Sequence, residues 1–191
     1  MSTLLQGKRI AILATDGFEQ DELTKPLRAL AAAGADVDVV SPSRGAIRGW
    51  KHSHWAEEVP VDVELSGARP EDYDAVVLPG GVINSDRLRH QPEAVRFVRH
   101  FVEANKPIGA VCHGAWTLIE AGGVSGHTMT SWPSIRSDLV NAGARWVDEE
   151  VVVDDGLVTS RKPADLDAFD EKLIAELAKA RPPATDRLHA W

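Results

Sequence analysis

Residues 107–114 read PIGAVCHG, and the reading of this stretch decides the fold. Residues 107–111 form a short apolar run, as in a strand buried on both faces. Cys112, the one cysteine of the chain, follows directly. Residues 113–121 then carry a helical pattern that Gly122-Gly123 closes. Small-x-nucleophile-x-Gly, with Ala110 and Gly114 as the small residues, is the spacing of a nucleophile elbow. Its turn is so tight that flanking side chains must be small, and the nucleophile projects above the sheet. A thiol at a helix N-terminus feels the positive end of the dipole, which predicts a lowered pKa and an available thiolate. The competing reading of Cys112 is a buried structural cysteine.

The same alternation extends outward. Residues 9–14 (RIAILA) and 74–78 (DAVVL) are further buried strands, and 36–40 (DVDVV) alternates as a strand. Helices are expected over 19–33, with Pro26 bending the helix and Gly34 ending it, over 92–104, and over 133–141 before Gly143. Residues 128–131 read as a short strand. Asp155-Gly156, between 150–153 and 157–160, is the strongest hairpin signal. A helix over 164–180 closes the domain, and Pro182-Pro183 stops it before a polar tail. Residues 43–70, rich in Gly, Ser, Trp and His, read as loops or small strands around 61–65. Alternating strands and helices give an α/β sandwich with a mainly parallel sheet, one domain over 1–191 with its core at about 8–180. Ligands of such folds sit beyond the carboxyl ends of strands.

Composition narrows the function classes. The chain has 191 residues, enough for a core without disulfides. Its 21 Lys and Arg against 29 Asp and Glu give a net charge of −8, a poor basis for nucleic-acid binding. No apolar run approaches a membrane span and the first residues lack a signal-peptide pattern, so a reducing, cytoplasmic location is expected.

Further candidates lie at strand ends. His113 has a backbone N–H where an oxyanion donor would sit, and an imidazole suited to general base work; the alternative is a solvated helix residue. Gly81 of Pro79-Gly80-Gly81 offers a second backbone donor, or a simple turn. Glu19 is either a capping-box residue three positions after Asp16 or a carboxyl beside Cys112 whose pKa burial would raise. His52 and His54 make only a partial metal site. Pro79-Gly80-Gly81 is not followed by a dinucleotide fingerprint, and residues 122–126 (GGVSG) read as a helix stop. Neither a metal nor a cofactor is expected.

The run Ala110-Val111-Cys112-His113-Gly114, with Leu78-Pro79-Gly80-Gly81 upstream and Glu19 after the first strand, resembles the ThiJ/PfpI superfamily, nearest its PfpI branch. Asn141-Ala142-Gly143-Ala144, residues 150–154 (EVVVD) and residues 159–166 (TSRKPADL) extend the likeness over about 8–178. The resemblance implies a flavodoxin-like three-layer sandwich related to class I glutamine amidotransferases. It implies Cys112 as nucleophile, Glu19 as the carboxyl contacting its sulfur, and the Gly81 and His113 backbone as oxyanion hole. It further implies Asp86 reaching across a subunit interface to His113, in a homodimer or higher oligomer. Ala115 and Trp116 depart from the Pro common after Cys-His-Gly in that branch, and residues 43–60 are longer and richer in Trp and His.

The resemblance implies a cysteine-dependent stress-protection enzyme. Glyoxalase or deglycase chemistry on reactive carbonyls or glycated adducts is the first expectation and an intracellular PfpI-type peptidase the second. A redox sensor or holdase using the same cysteine is the non-enzymatic alternative.

Overall fold

The computed structural model describes residues 3–179. The expected end of the last helix at residue 180, the Pro182-Pro183 stop and the polar tail lie outside the described residues.

The chain begins with β1 (Arg9–Leu13), a two-residue β2 (Phe18–Glu19), α1 (Gln20–Ala32) and β3 (Asp36–Ser41). A hairpin of β4 (Ala46–Lys51) and β5 (His54–Pro60) follows, then the short β6 (Val63–Glu64). Next come β7 (Ala75–Leu78), α2 (Val82–Arg89), α3 (Pro92–Glu103), β8 (Ile108–Val111) and α4 (Ala115–Ala121). The chain continues through β9 (Thr128–Met129), α5 (Arg136–Asn141), β10 (Arg145–Trp146), β11 (Val151–Asp154), β12 (Leu157–Ser160) and α6 (Leu166–Lys179).

Seven strands form one sheet in the order β11-β12-β8-β7-β1-β3-β6. It is parallel except for β11, which runs antiparallel to β12. Strand alternation divides the core into two layers. Ile10, Ile12, Ala75 and Val77 face the side covered by Leu23 and Leu30 of α1 and Phe169, Leu173 and Leu177 of α6. Ala11, Leu13, Val76 and Leu78 face the side covered by Leu88, Phe97, Phe101 and Leu118. Gly109 is part of this design: a Cβ there would lie 2.9 Å from the Phe169 ring. The expected three-layer α/β sandwich is therefore the observed fold. Asp155 and Gly156 adopt φ of 47° and 82°, as a tight hairpin turn requires.

Local readings differ in four places. Residues 43–60 are not mainly loop: β4 and β5 pair antiparallel and join β2 in a separate three-stranded sheet. Its alternation was masked because β5 is mostly exposed or half-exposed. Helix α2 escaped sequence reading because its buried residues include Asn84 and Ser85, which no apolar stripe announces. Asp16 does not cap α1; its carboxylate accepts the Arg48 backbone N–H at 2.8 Å, and Glu19 flanks the helix without a side-chain cap. The 133–141 and 113–121 helices each open as a 3₁₀ turn before becoming α-helical.

Candidate active site

The elbow forms where β8 ends. Cys112 has φ 58°, in the left-handed region that ordinary side chains avoid. Such a residue persists only where its surroundings over-determine it, and here they do. A Cβ on Gly114 would run into the Leu78 carbonyl oxygen. One on Gly80 would lie 2.7 Å from Cys112 Cβ and 2.9 Å from the His113 nitrogen. The Cys112 carbonyl accepts the Trp132 N–H at 3.3 Å. These small residues are what let two strand ends approach the sulfur closely.

The neighbouring strand end is tied down as firmly. Asn84, wholly buried, donates to the carbonyls of Pro79 and Gly80 at 3.0 Å each and accepts the Thr15 N–H at 2.8 Å. Gly81 sits at φ 87°, and a Cβ there would be 2.7 Å from the Glu19 nitrogen. Backbone N–H groups of His113 and Gly81 point at the Cys112 sulfur. Both donors named from the sequence are thus brought to the thiol.

The carboxyl at the sulfur is Glu22, not Glu19. Glu22 projects from the first turn of α1, is wholly buried, and accepts the Gly80 N–H at 2.8 Å. Its Oε1 has no hydrogen-bond partner, and the carboxyl as a whole interacts with the Cys112 thiol. Glu19 lies three residues earlier, half-buried at the cavity rim. The sequence points to a carboxyl after β1, and the structure supplies it from Glu22 rather than from Glu19. Because α1 starts at Gln20, a residue within its first turn points at the sheet edge, whereas Glu19 still belongs to β2.

Burial pushes the Glu22 carboxyl up to about 8. Burial, and then the Glu22 carboxylate, push the Cys112 thiol up as well, against the pull of the His113 and Gly81 N–H groups. The expectation of a lowered thiol pKa from the helix dipole is corrected accordingly. Cys112 opens a three-residue 3₁₀ turn, Cys112–Gly114, rather than the α-helix itself, and desolvation outweighs the donors.

His113 touches the sulfur after all: Nδ1 lies 3.2 Å from Sγ. Nε2 lies 3.3 Å from the Ser134 hydroxyl, a partner the sequence reading missed. Burial lowers the imidazole pKa, which favours the neutral ring. Trp116 meets the ring edge-on at 5.0 Å and Trp132 lies roughly parallel to it at 6.4 Å. Asp86 is exposed on α2 and makes no hydrogen bond to His113 within the subunit.

Above the sulfur is a cavity of about 380 Å³. Glu22, Gly81, Cys112 and His113 form its floor, while Glu19, Trp50, His52 and Trp132 stand at its rim. The Trp- and His-rich segment therefore reaches the site through Trp50 and His52. Among the described residues no group of three or more His, Cys, Asp or Glu is placed to hold a metal. No helix among them is long and apolar enough to cross a membrane.

A model of the DJ-1/PfpI family matches residues 8–176. An uncharacterized protein of Staphylococcus haemolyticus is 40% identical over 172 residues, covering 89% of this chain and 98% of its own. Another from Staphylococcus epidermidis is 41% identical with the same coverage. A two-domain Anabaena variabilis protein with DJ-1/ThiJ/PfpI-like and ferritin-like domains superposes with a TM-score of 0.84 at 36% identity. That match covers 94% of this chain but 51% of the other, so this chain spans about half of that protein. Drosophila melanogaster DJ-1beta matches with a TM-score of 0.82 at 29% identity, over 93% of this chain and 91% of its own.

Proposed function

The chain belongs to the DJ-1/PfpI family, and from that premise and the geometry at Cys112 we propose that it is a cysteine-dependent enzyme acting on small reactive carbonyls or their glycated adducts. One observation carries the reading: two backbone N–H groups, a buried carboxyl and an imidazole all converge on a single sulfur. Such convergence suits a centre where negative charge moves between sulfur and a substrate oxygen.

The chemistry follows from these groups. Neutral His113, with its proton on Nε2 toward Ser134, accepts the thiol proton at Nδ1. The sulfur electron pair forms a C–S bond to the carbonyl carbon, and the C=O π pair moves onto oxygen. The N–H groups of Gly81 and His113 hold that oxygen until the proton returns to it, giving a hemithioacetal. Glu22 stays protonated below about pH 8, so the anion formed beside it meets an O–H rather than a second charge.

A peptide substrate fits less well, because a cavity of about 380 Å³ with indoles at its rim has little room for an extended chain. The buried Glu22 carboxyl would also suit a redox-sensing cysteine, since its O–H can bond a sulfinic acid oxygen. We further propose that the site is completed in a homodimer, with Asp86 of one subunit orienting His113 of the other. Asp86 is exposed on α2, whose first residue, Val82, lines the cavity.

One experiment separates these readings. Wild type, Cys112→Ser and Asp86→Asn are each given methylglyoxal, a glycated peptide and casein. Wild type should consume many equivalents of methylglyoxal or adduct and leave casein intact, and Cys112→Ser should do nothing. Modification of one equivalent per chain and no more would instead identify a sensor. Mixing the two variants should restore part of the activity, because a two-fold dimer then holds one intact site. No recovery in verified mixed dimers would remove Asp86 from the site.

A further inference from the structure

We propose that the cavity rim selects electrophiles carrying a positive charge, with Glu19 and the indoles of Trp50 and Trp132 as the specificity-determining residues. The inference deepens the proposed use of Cys112 by naming the charge class of what reaches it. Glu19 and Trp50 are register partners where β2 runs parallel to β4, so a carboxylate and an indole stand side by side on one wall. Trp132 stands on another, held by its N–H bond to the Cys112 carbonyl.

At the rim the Glu19 carboxylate has one basic neighbour, the His52 imidazole, whose charge acts on it. None of the described residues lining the cavity is Lys or Arg. Lys51, whose charge acts on Glu19, is held by both oxygens of Asp21 at 2.9 and 3.1 Å. Glu19 itself forms no ion pair among the described residues, and it accepts the Asp21 backbone N–H. Glu22, on the floor, is wholly buried and faces the sulfur rather than the opening. An indole face attracts ammonium and guanidinium groups through its quadrupole. A carboxylate beside it, half out of water, adds Coulomb attraction stronger than in bulk solvent. An anionic electrophile meets the same carboxylate as repulsion. The favoured class is therefore a carbonyl or adduct borne a few atoms from a guanidinium or ammonium, with 2-oxo acids disfavoured.

The test reads charge preference without requiring turnover. Cys112 is alkylated with iodoacetate, iodoacetamide and an iodoacetamide bearing a trimethylammonium group, each forming an S–C bond with loss of iodide. Rates are divided by those of a free cysteine derivative at the same pH. The cation-to-anion ratio should exceed that of the free thiol by about tenfold or more. Glu19→Gln should bring that ratio most of the way back, and Trp132→Leu should lower the cation-to-neutral ratio. In wild type, salt raised to about 0.5 M should shrink the preference, a readout that needs no variant to fold. A ratio within twofold of the free thiol, insensitivity to salt, or an unchanged ratio in folded Glu19→Gln would overturn the proposal. A preserved charge ratio in a protein that does not turn over methylglyoxal or glycated peptide would defeat the enzymatic reading alone.

Discussion

The floor and the rim of the cavity are built by different means. The floor comes from the carboxyl ends of β7 and β8 and the first turn of α1. Each contributor is locked by backbone: Gly80 and Gly114 have no room for a Cβ, and Gly81 is wedged against residues 17–19. The rim comes from a hairpin outside the main sheet and from the loop carrying Trp132. There the chain is half-exposed, and side-chain contacts such as Trp50 edge-on to Trp55 at 5.4 Å join a few backbone bonds in holding it. A rigid floor with an appended rim lets the reacting atoms stay fixed while the entrance is free to vary.

Two glycines put the largest number on that difference. Gly114→Ala drives a methyl into the Leu78 carbonyl oxygen, backbone against backbone, so neither side yields cheaply. A loss of about 3 kcal/mol in folding free energy, with loss of the thiol geometry, is expected. Gly45, at the entry to the hairpin, has a left-handed φ of 76° but open space around its Cβ position. Gly45→Ala should cost only the conformational penalty, about 1 kcal/mol. Denaturant melts of both variants check this, and equal losses would erase the distinction.

The two glutamates supply the next contrast. The folded Glu22 pKa of about 8 lies above its unfolded value, so the native state holds a proton that the unfolded state has released. Stability contributed by this group is full at low pH and declines as pH rises, by about 1.4 kcal/mol per unit from about pH 4.5 to 8. Against Glu22→Gln, wild type should therefore lose ground steadily over that window. Glu19 is raised too, by burial first and then Asp21, but more weakly, so Glu19→Gln should flatten the profile over a narrower acidic range. Urea melts at a series of pH values measure both. Parallel wild-type and Glu22→Gln curves would show that Glu22 is not held protonated.

The same division explains what could be read from sequence. Residues 9–14, 74–78 and 107–111 announce themselves because strands buried on both faces are apolar throughout. Cys112, His113 and Gly81 are legible because elbow spacing and strand-terminal glycines are backbone requirements that leave marks in the sequence. Glu22 was not chosen because which of two nearby carboxyls turns inward depends on where β2 gives way to α1, one residue of register. Ser134 carries no signal: a serine in the first turn of a helix has no mark in the sequence until the fold brings it to an imidazole. Helix α2 and the hairpin hid for a shared reason, since polar buried faces and exposed strands both lack the apolar period that periodicity detects.

The smallest expected effect lies in the hairpin itself. Trp55 is 42% exposed and is the cross-strand partner of Trp50, but it does not line the cavity. Aromatic cross-strand pairs contribute about 0.5–1 kcal/mol beyond an alanine pair. Trp55→Ala should therefore lower overall stability by about that amount or less, because the hairpin is anchored to the rest of the fold chiefly through the short β2 pairing and the Gly17 and Arg48 backbone contacts. Hydrogen exchange should show faster opening of 46–60 with β7 and β8 unchanged. The iodoacetamide rate at Cys112 should stay within about twofold, because the sulfur's donors come from Gly81, His113 and Glu22 and none touches Trp55. If exchange instead quickens at β8, or the thiol rate moves tenfold, the hairpin and the floor form one cooperative unit and the rim is structural rather than appended.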